Sequence, residues 1–487
     1  MFDQLLAMGL YFSVLITIGL CSRKKNTTEK DFVLGNRKLN YWVTAISAHA
    51  DDMSSWLFMA FPMAIFVSGP YKLWVGIGLI LGMFLCWQFV APRLRTQTEK
   101  YDSSTLSTFF ERRFGDHSGI IRNISAIMIL FFMTYYLSSG LVATGRLFES
   151  LFSINYYIGI SIAILIVISY VLAGGFISVA WTDFVQGVFL LVMIMIVPIV
   201  AFSHIGSINN ILTIGESKGI VFSLFPEASF TSFFAIFSLL VGWGLGYFGQ
   251  PHILTKFMGI KHVEELRKSK YLGMTWQILA MTSAAAVGFI GLAFFPNGLE
   301  KPEMVFVEMT TTLFAPFVAA FIICGIFSAN MSTMDSQLLV CATVMSEDFY
   351  RHILNKKASS KELVFASRAG VIIFALLAFY LAWGQSATIM SIVEYAWSGL
   401  GSSFGPLILC ALYSKRVNKY GAIVGVSVGG IVAATWPTLN PYVTDLDIVP
   451  MIPGFFLSLC SIHVVSYLTR GKQTVSVSEH EKESVLA

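Results

Sequence analysis

The sequence predicts an all-helical integral membrane protein with about thirteen membrane-spanning helices. Of its 487 residues, 56% are hydrophobic and only 12% are charged, and the mean hydropathy is +0.72. These values are typical of polytopic membrane proteins rather than soluble globular ones. Two further observations support this class: repeated apolar runs of about 20 residues, the length that crosses a bilayer, and basic residues that alternate between successive loops.

Thirteen apolar runs are expected to form the spanning segments. They lie at about 3–22, 42–67, 73–91, 120–143, 156–173, 181–203, 229–250, 273–295, 312–345, 366–383, 388–413, 421–438 and 449–469. The ninth run is long enough to contain a full span and a cytoplasmic extension.

Basic residues predict the orientation of these segments. Alternate loops place four Lys/Arg on one side, at Lys72, Arg146, Lys218 and Lys301, and the other 28 of the 32 on the opposite side. Because basic loops stay in the cytoplasm, we expect an inner-membrane protein with its N-terminus outside and its C-terminus inside. A miscount of one segment would destroy this alternation, so the charges independently support thirteen spans.

The remaining composition excludes several classes of function. The first segment lacks a basic n-region and an Ala-x-Ala cleavage site, which predicts a retained signal anchor. Residues 471–487 are polar and are expected to form a disordered cytoplasmic tail. The six cysteines form no CxxC pair, which argues against a disulfide frame and a zinc site. The net charge of +4 reflects topology, so we expect a lipid bilayer as the environment and neither nucleic acid nor an obligatory protein as a partner.

The second segment contains two adjacent aspartates, Asp51 and Asp52, within an otherwise apolar run. A carboxylate at bilayer depth costs roughly 2.5–3.5 kcal/mol on insertion scales. The surrounding residues 48–56 are small and polar, which predicts a break in the spanning helix. Non-helical backbone at this depth is tolerated where protein or a water-filled cavity receives the freed groups. The break therefore indicates a solute or ion site.

The seventh segment is predicted to be broken as well. It ends with Gly242, Gly244, Gly246, Gly249 and Pro251, and glycine costs about 1 kcal/mol and proline about 3 kcal/mol inside a helix. One interpretation is close glycine-mediated packing against neighbouring helices. The other is an unwound stretch that presents two aromatic residues, four positions apart and thus on one helical face, to a solute.

The two broken segments lie five spans apart, and paired interruptions are a pointer to the binding site of an inverted-repeat transporter. Segments 2–6 (42–203) and 7–11 (229–413) are then expected to be repeats of opposite orientation. Residues 1–41 would form the anchor helix and a cytoplasmic loop, and residues 421–470 two additional helices, within a single transporter domain spanning 1–470.

Four stretches of sequence resemble the solute:sodium symporter family. They are Ala-Asp-Asp-Met-Ser-Ser-Trp at 50–56, Gly-Trp-Gly-Leu-Gly-Tyr-Phe-Gly-Gln-Pro-His at 242–252, Met-Ser-Thr at 331–333 and Tyr-Ala-Trp-Ser-Gly-Leu-Gly-Ser-Ser-Phe-Gly-Pro at 395–406. The resemblance extends from about Asp31 to Leu468, and the second stretch points to the proline branch of the family. It implies a LeuT-like fold with discontinuous helices 2 and 7, and sodium-driven uptake of L-proline by alternating access.

The resemblance also implies a sodium site between segments 2 and 9. Sodium is a hard cation that prefers oxygen ligands, and it is the coupling ion rather than a resident cofactor. The residues that match the family ligands are Ala50, Met53, Ala329, Ser332 and Thr333, with Asp52 and Ser54 matching residues concerned with sodium coupling. The alternative for the two hydroxyls on segment 9 is ordinary hydrogen bonding to the preceding helical turn.

A second cation site is a hypothesis for this chain. Ser332, Asp335 and Ser336 have i, i+3 and i+4 spacing and share a helical face. In some relatives, an aspartate matching Asp183 and hydroxyls on this face bind a second sodium ion. Asp335, Ser336 and Asp183 would then bind a second cation, or one carboxylate would hold a proton. The alternative is that Asp183 only caps the N-terminus of its helix, where negative charge is favoured.

For the solute, aromatic residues and helix ends would receive the amine and the carboxylate of an amino acid. Trp243 and Tyr247 could enclose a pyrrolidine ring, and Tyr136 and Pro251 match family positions near the substrate. Arg37 matches an arginine at the cytoplasmic entrance to segment 2 that is concerned with gating or coupling. The alternative is that Arg37 only anchors its loop on the cytoplasmic side, as basic loop residues do.

The sequence leaves several other functions as alternatives. The nearest is a sodium- or proton-coupled symporter of the same family for another amino acid or small organic anion. A sensor would usually carry a cytoplasmic signalling domain, for which the tail is too short. A passive channel would need a filter of carbonyl or charged rings. An enzyme would need a nucleophile–base pair or a metal motif, and the sequence offers none.

Overall fold

The computed structural model describes residues 2–21, 29–384 and 388–470, and these ranges contain helices but no β-strand. The predicted disordered tail, 471–487, lies outside the described residues. The helices of the first half are α1 (Phe2–Cys21), α2 (Glu29–Leu34), α3 (Tyr41–Met53), α4 (Ala60–Ser68), α5 (Leu73–Leu85), α6 (Ala91–Lys100), α7 (Leu106–Phe114), α8 (Ile120–Phe152), α9 (Tyr156–Gly174) and α10 (Phe176–Ile205).

The second half follows the same order of a broken helix and then long helices. Its helices are α11 (Ile208–Ser217), α12 (Phe230–Gly244), α13 (Pro251–Gly259), α14 (Leu266–Phe294), α15 (Val305–Leu313), α16 (Pro316–Val344), α17 (Ser360–Ala382), α18 (Ile389–Tyr413), α19 (Lys419–Val443) and α20 (Met451–Leu468). A π-helical turn, Met345–Leu354, continues α16, which accounts for the predicted extension of the ninth segment.

The apolar runs predicted from the sequence are helical over most of their described length. Nine helical runs in the described ranges are long and apolar enough to cross a membrane. The other four predicted segments coincide with α1, the α3–α4 pair, α9 and α18. The α3–α4 pair is divided by its break, and α18 is rich in glycine and serine. These two features explain why the α3–α4 pair and α18 are less apolar or shorter than the other spans. The prediction of an all-helical membrane protein is confirmed.

Some segment boundaries differ from the prediction. Segment 6 was predicted to begin at Trp181, but α10 begins at Phe176, after Gly175 with a φ of +81°. The helix therefore starts before the polar residues that had suggested its N-terminus. Segment 7 was predicted to end near residue 250, whereas a second helical piece, α13, continues to Gly259. This continuation carries Lys256, which the charge count had placed in a cytoplasmic loop, into the protein interior.

The packing of the helices brings the two breaks to the centre. Helix α3 packs against α10, α14 and α16, and the stretch between α12 and α13 packs against α18. The outer helices α19 and α20 pack against each other and against α18, while α1 covers α16. The two interrupted helices are thus packed among helices from both halves of the chain.

Candidate functional site

The first break begins at Ser54, whose φ of +35° is outside the region that non-glycine residues usually adopt. A short 3₁₀ turn, Ser55–Leu57, leads from there to α4. The backbone N–H of Ser54 donates to Thr333 Oγ1 at 3.1 Å, and that of Ser55 donates to Asn330 Oδ1 at 2.7 Å. Side chains of α16 therefore satisfy the groups that the break frees, as burial at membrane depth requires.

The same break exposes the carbonyl oxygen of Ala50. In a continuous helix this oxygen would accept the N–H of Ser54, but that N–H is directed to α16. Instead, Ser332 Oγ donates to Ala50 O at 3.1 Å. A carbonyl of α3 and a hydroxyl of α16 are thereby brought into direct contact.

Four of the predicted sodium ligands form one oxygen cluster. Ser332 Oγ lies 3.2 Å and Thr333 Oγ1 lies 3.0 Å from Ala329 O, in addition to the contact with Ala50. The alternative interpretation, bonding to the preceding turn, is therefore also correct for both hydroxyls. It does not exclude the ion site, because the same oxygens face one another. Met53, the fifth predicted residue, ends α3 and is buried.

Asp52 faces the second broken helix. Tyr247 Oη donates a hydrogen bond to Asp52 Oδ2, and Gln277 Nε2 donates to Tyr247 Oη at 3.0 Å. Tyr247 was predicted to contact a solute, and the structure places its hydroxyl on the carboxylate next to the first break. A side chain from the second break thus contacts the residue predicted to couple sodium.

The second break is built by close packing. Gln250 is extended, with φ −89° and ψ 105°, and its Nε2 donates to Gly246 O at 3.2 Å and Trp397 O at 3.1 Å. A Cβ on Gly246 would lie 1.9 Å from Trp397 Nε1. The glycines therefore let α18 approach the backbone, so the packing interpretation of this stretch is confirmed alongside its interruption.

A small cavity lies between the two breaks. We refer to it as the central cavity; its lining consists of Asp52, Met53, Trp56, Leu79, Tyr136, Trp243, Met281, Val393 and Trp397. The rings of Trp56 and Trp243 are 5.5 Å apart. Two predicted solute residues, Tyr136 and Trp243, are therefore brought together with the carboxylate of Asp52.

A second cavity adjoins α13. Its lining includes Pro251, His252, Lys256 and Ser336. Pro251, the fourth predicted solute residue, thus lies on this cavity rather than on the central one. The ring of His252 meets the ring of Tyr136 edge to face at 5.7 Å, so these two side chains stand between the cavities.

The residues of the hypothetical second cation site surround a lysine. Lys256 Nζ lies 2.7 Å from Asp183 Oδ2 and 3.1 Å from Asp51 Oδ2, and Ser336 Oγ lies 3.4 Å from the same Asp183 oxygen. Asp335 is fully buried next to Ser336. Asp183 lies beyond the first turn of α10, so the alternative that it merely caps a helix is wrong.

Arg37 joins separate parts of the chain instead of pointing to lipid. Its guanidinium donates to Met258 O at 2.8 Å, to Thr98 O at 3.0 Å and to Ser103 O at 3.1 Å. Burial, together with the charge of Arg95, lowers the pKa of Arg37 to about 10, which leaves the group charged at neutral pH. These contacts tie the loop before α3 to the end of α13.

Sequence reasoning missed Lys256, Trp56 and Trp397. Lys256 lies beyond the predicted end of segment 7, so the charge pattern places it in a loop, whereas α13 continues to Gly259. The two tryptophans lie inside the stretches that carry the family resemblance, and that position was the available signal. Trp397 also donates from its indole N–H to Trp243 O at 3.0 Å.

The chain is similar over most of its length to one protein family and to curated relatives. The model of the sodium:solute symporter family matches residues 32–429. The high-affinity proline transporter PutP of Bacillus subtilis is 42% identical over 94% of this chain and 96% of its own length. The sodium/proline symporter 2 of Staphylococcus saprophyticus is 38% identical over 98% of this chain and 94% of its own length.

Among solved structures, a Na⁺-coupled sialic acid symporter in a substrate-bound outward-open state superposes with a TM-score of 0.81. It is 19% identical and the match covers 96% of this chain and 98% of the symporter. At this identity the likeness concerns the fold alone. The predicted LeuT-like fold is confirmed.

Proposed function

This chain belongs to the sodium:solute symporter family, and from that premise we propose that it takes up L-proline together with sodium by alternating access. It is a multi-pass membrane transporter and not an enzyme. The names of its relatives, a proline transporter and a sodium/proline symporter, support the choice of substrates. The observation that carries the proposal is the oxygen cluster at the first break, which adjoins the aromatic central cavity.

Sodium binds, in this proposal, at the contact between α3 and α16. The carbonyl oxygens of Ala50, Met53 and Ala329 and the hydroxyls of Ser332 and Thr333 are its ligands. Oxygen atoms suit a hard cation, and the hydrogen bonds of the two hydroxyls to Ala50 and Ala329 keep most of this set together. Ser54 fixes the break, because its N–H bonds Thr333.

Proline binds in the central cavity. Trp243 and Tyr136 supply the aromatic surface for the ring, and Asp52 links this cavity to the sodium site through its place next to Met53. Tyr247 positions Asp52 by its hydrogen bond. Pro251 contributes indirectly, by starting α13 after the second break.

Coupling follows because both ligands order the same broken helix. Sodium between α3 and α16 stabilises the break whose other side lines the solute cavity. Two ligands that prefer the same conformation strengthen each other's binding reciprocally. The repeats 42–203 and 229–413 would move relative to each other, and Arg37 would act as a cytoplasmic gate by holding the end of α13.

Two further elements complete the proposal. Asp183, Asp335 and Ser336 form a second cation position. The protein lies in the cytoplasmic membrane with its N-terminus outside and its C-terminus inside, as the alternation of basic loops supports.

The test is uptake of labelled proline into proteoliposomes that contain only this protein. An inward sodium gradient is expected to drive concentrative uptake, whereas potassium or proton gradients are not. Uptake driven equally by protons would contradict sodium coupling. Transport of other amino acids or organic anions in place of proline would contradict the substrate.

A further inference from the structure

A buried ammonium group stands next to the proposed sodium site. The side chain of Lys256 is only 2% exposed, and its Nζ forms ion pairs with Asp183 at 2.7 Å and Asp51 at 3.1 Å. A charge in the membrane interior is costly unless it is paired. Two carboxylates from different helices therefore hold this ammonium in one place.

Three carboxylates contribute to the charge around Lys256. Asp335 interacts electrostatically with both Asp183 and Lys256, and all three aspartates are fully buried. Ser336 adds a hydroxyl at 3.4 Å from Asp183. Carboxylate and hydroxyl oxygens are the groups that would bind a free cation, so this cluster favours a positive charge.

The cluster joins four helices that meet near the breaks. Lys256 is on α13, the second half of the second broken helix, and Asp51 is on α3, next to Ala50. Asp183 is on α10, and Ser336 lies one turn beyond Ser332 on α16. A cation at this position thus connects the inner halves of both broken helices to the helix that carries the sodium ligands.

We propose that the ammonium of Lys256 is a tethered cation that fills the second cation position, so that this cluster takes up no second sodium ion during transport. The inference rests on the proposed function, because it defines the ion count of the same site. A free ion would enter and leave in each cycle. The ammonium remains covalently attached, and each proline is therefore accompanied by the one sodium ion bound at Ala50 and Ser332.

A purely structural ion pair would have a different consequence. If Lys256 only held helices together, its removal would change stability but would not create an ion site. If it replaces an ion, its removal leaves three buried carboxylates without their cation. Sodium, the abundant small cation, is then expected to enter the vacated position.

The experiment is equilibrium binding of radioactive sodium to the purified full-length protein. The wild type is expected to bind one sodium ion per chain, and Lys256→Met to bind two. Lys256→Arg, the matched control that keeps the charge, is expected to bind one. The double variant Lys256→Met/Asp183→Asn is expected to lose part or all of the additional binding, because one carboxylate ligand is removed.

Two results would overturn the inference: two sodium ions per wild-type chain, or one ion bound to a folded Lys256→Met variant. If Lys256→Met yields no folded protein, the count for Lys256→Gln, which also removes the charge, decides. The failure of the proposed function is a distinct outcome, since it would appear as no sodium binding to the wild type.

Discussion

The two broken helices are interrupted by different chemistry. At the first break, the backbone N–H groups of Ser54 and Ser55 donate to side-chain oxygens on α16, and Ala50 O is left for a hydroxyl. At the second, Gly246 allows α18 to approach so closely that a Cβ would meet Trp397 at 1.9 Å. Oxygen atoms therefore surround the first break, whereas closely packed backbone and aromatic rings surround the second.

The two breaks therefore suit two different kinds of ligand. A cation needs oxygen ligands, and the first break provides them by disrupting its own helical hydrogen bonds. A small zwitterion needs a shaped surface with aromatic groups, and the second break positions Trp243 for that purpose. The hydrogen bond from Tyr247 to Asp52 connects the two regions.

Replacing Asp52 should have the largest effect on transport, because its carboxylate lies at the first break and accepts a hydrogen bond from Tyr247 at the second. We expect Asp52→Asn to reduce sodium-driven proline uptake at least about 100-fold, since removing a charged partner from a buried network costs about 3–5 kcal/mol and 1.4 kcal/mol corresponds to a factor of ten. Initial uptake rates in proteoliposomes would measure it. Asp445→Asn, at an exposed residue, is the control. Near-normal uptake by Asp52→Asn would remove this residue from the coupling.

Ser332→Ala tests the ion-binding character of the first break. The loss of one buried oxygen ligand corresponds to about 1.5–3 kcal/mol, so the sodium concentration for half-maximal uptake should rise about 10- to 100-fold. The KM for proline at saturating sodium should change little. Ser169→Ala, on an exposed part of α9, should leave both values unchanged. A variant with altered proline KM and normal sodium dependence would reverse the assignment.

Gly246→Ala tests the packed character of the second break. Overpacking of a well-filled interior costs about 1–3 kcal/mol, and here the new Cβ would meet a buried indole. We expect lower thermal stability in detergent and about tenfold slower uptake. Gly9→Ala, where a Cβ meets nothing within 4 Å, is the control. Equal stability of the two variants would show that α18 does not need this close approach.

Trp243→Ala should affect the solute more than the ion. Loss of an aromatic contact in a binding cavity is expected to cost about 1–2 kcal/mol, so the KM for proline should rise about five- to thirtyfold. Sodium dependence should shift by less than about twofold, because Trp243 is not one of the oxygen ligands, and its carbonyl accepts a hydrogen bond from Trp397. Trp42→Ala, at a half-exposed residue, provides the comparison. Unchanged proline kinetics would exclude Trp243 from the site.

Much of the fold could be predicted because membrane insertion imposes simple rules. Apolar length identified the thirteen segments, and local composition identified both breaks, since polar residues and glycines at membrane depth are visible along the chain. The contacts of Ser332 and Thr333 with α3 were expected from the family resemblance. Each of these features depends on nearby residues or on a motif.

The ion pairs of Lys256 could not be predicted in the same way. Its partner Asp183 is 73 positions away, and whether the two meet depends on where α13 ends and how α10 packs. A local rule also misled: glycines and a proline suggested the end of segment 7, although Pro251 starts a new helix. Proline is also common at the first position of a helix. Whether Pro251 ends a segment or starts a new helix therefore depends on the packing of α13.

The most direct test of coupling between the two breaks is the affinity for proline, measured by equilibrium binding to the purified protein with and without sodium. If both ligands order the first break, saturating sodium should lower the Kd for proline about 5- to 150-fold, the usual range of coupling between sites. Proline should lower the Kd for sodium by the same factor. Identical proline affinities with and without sodium would contradict the account.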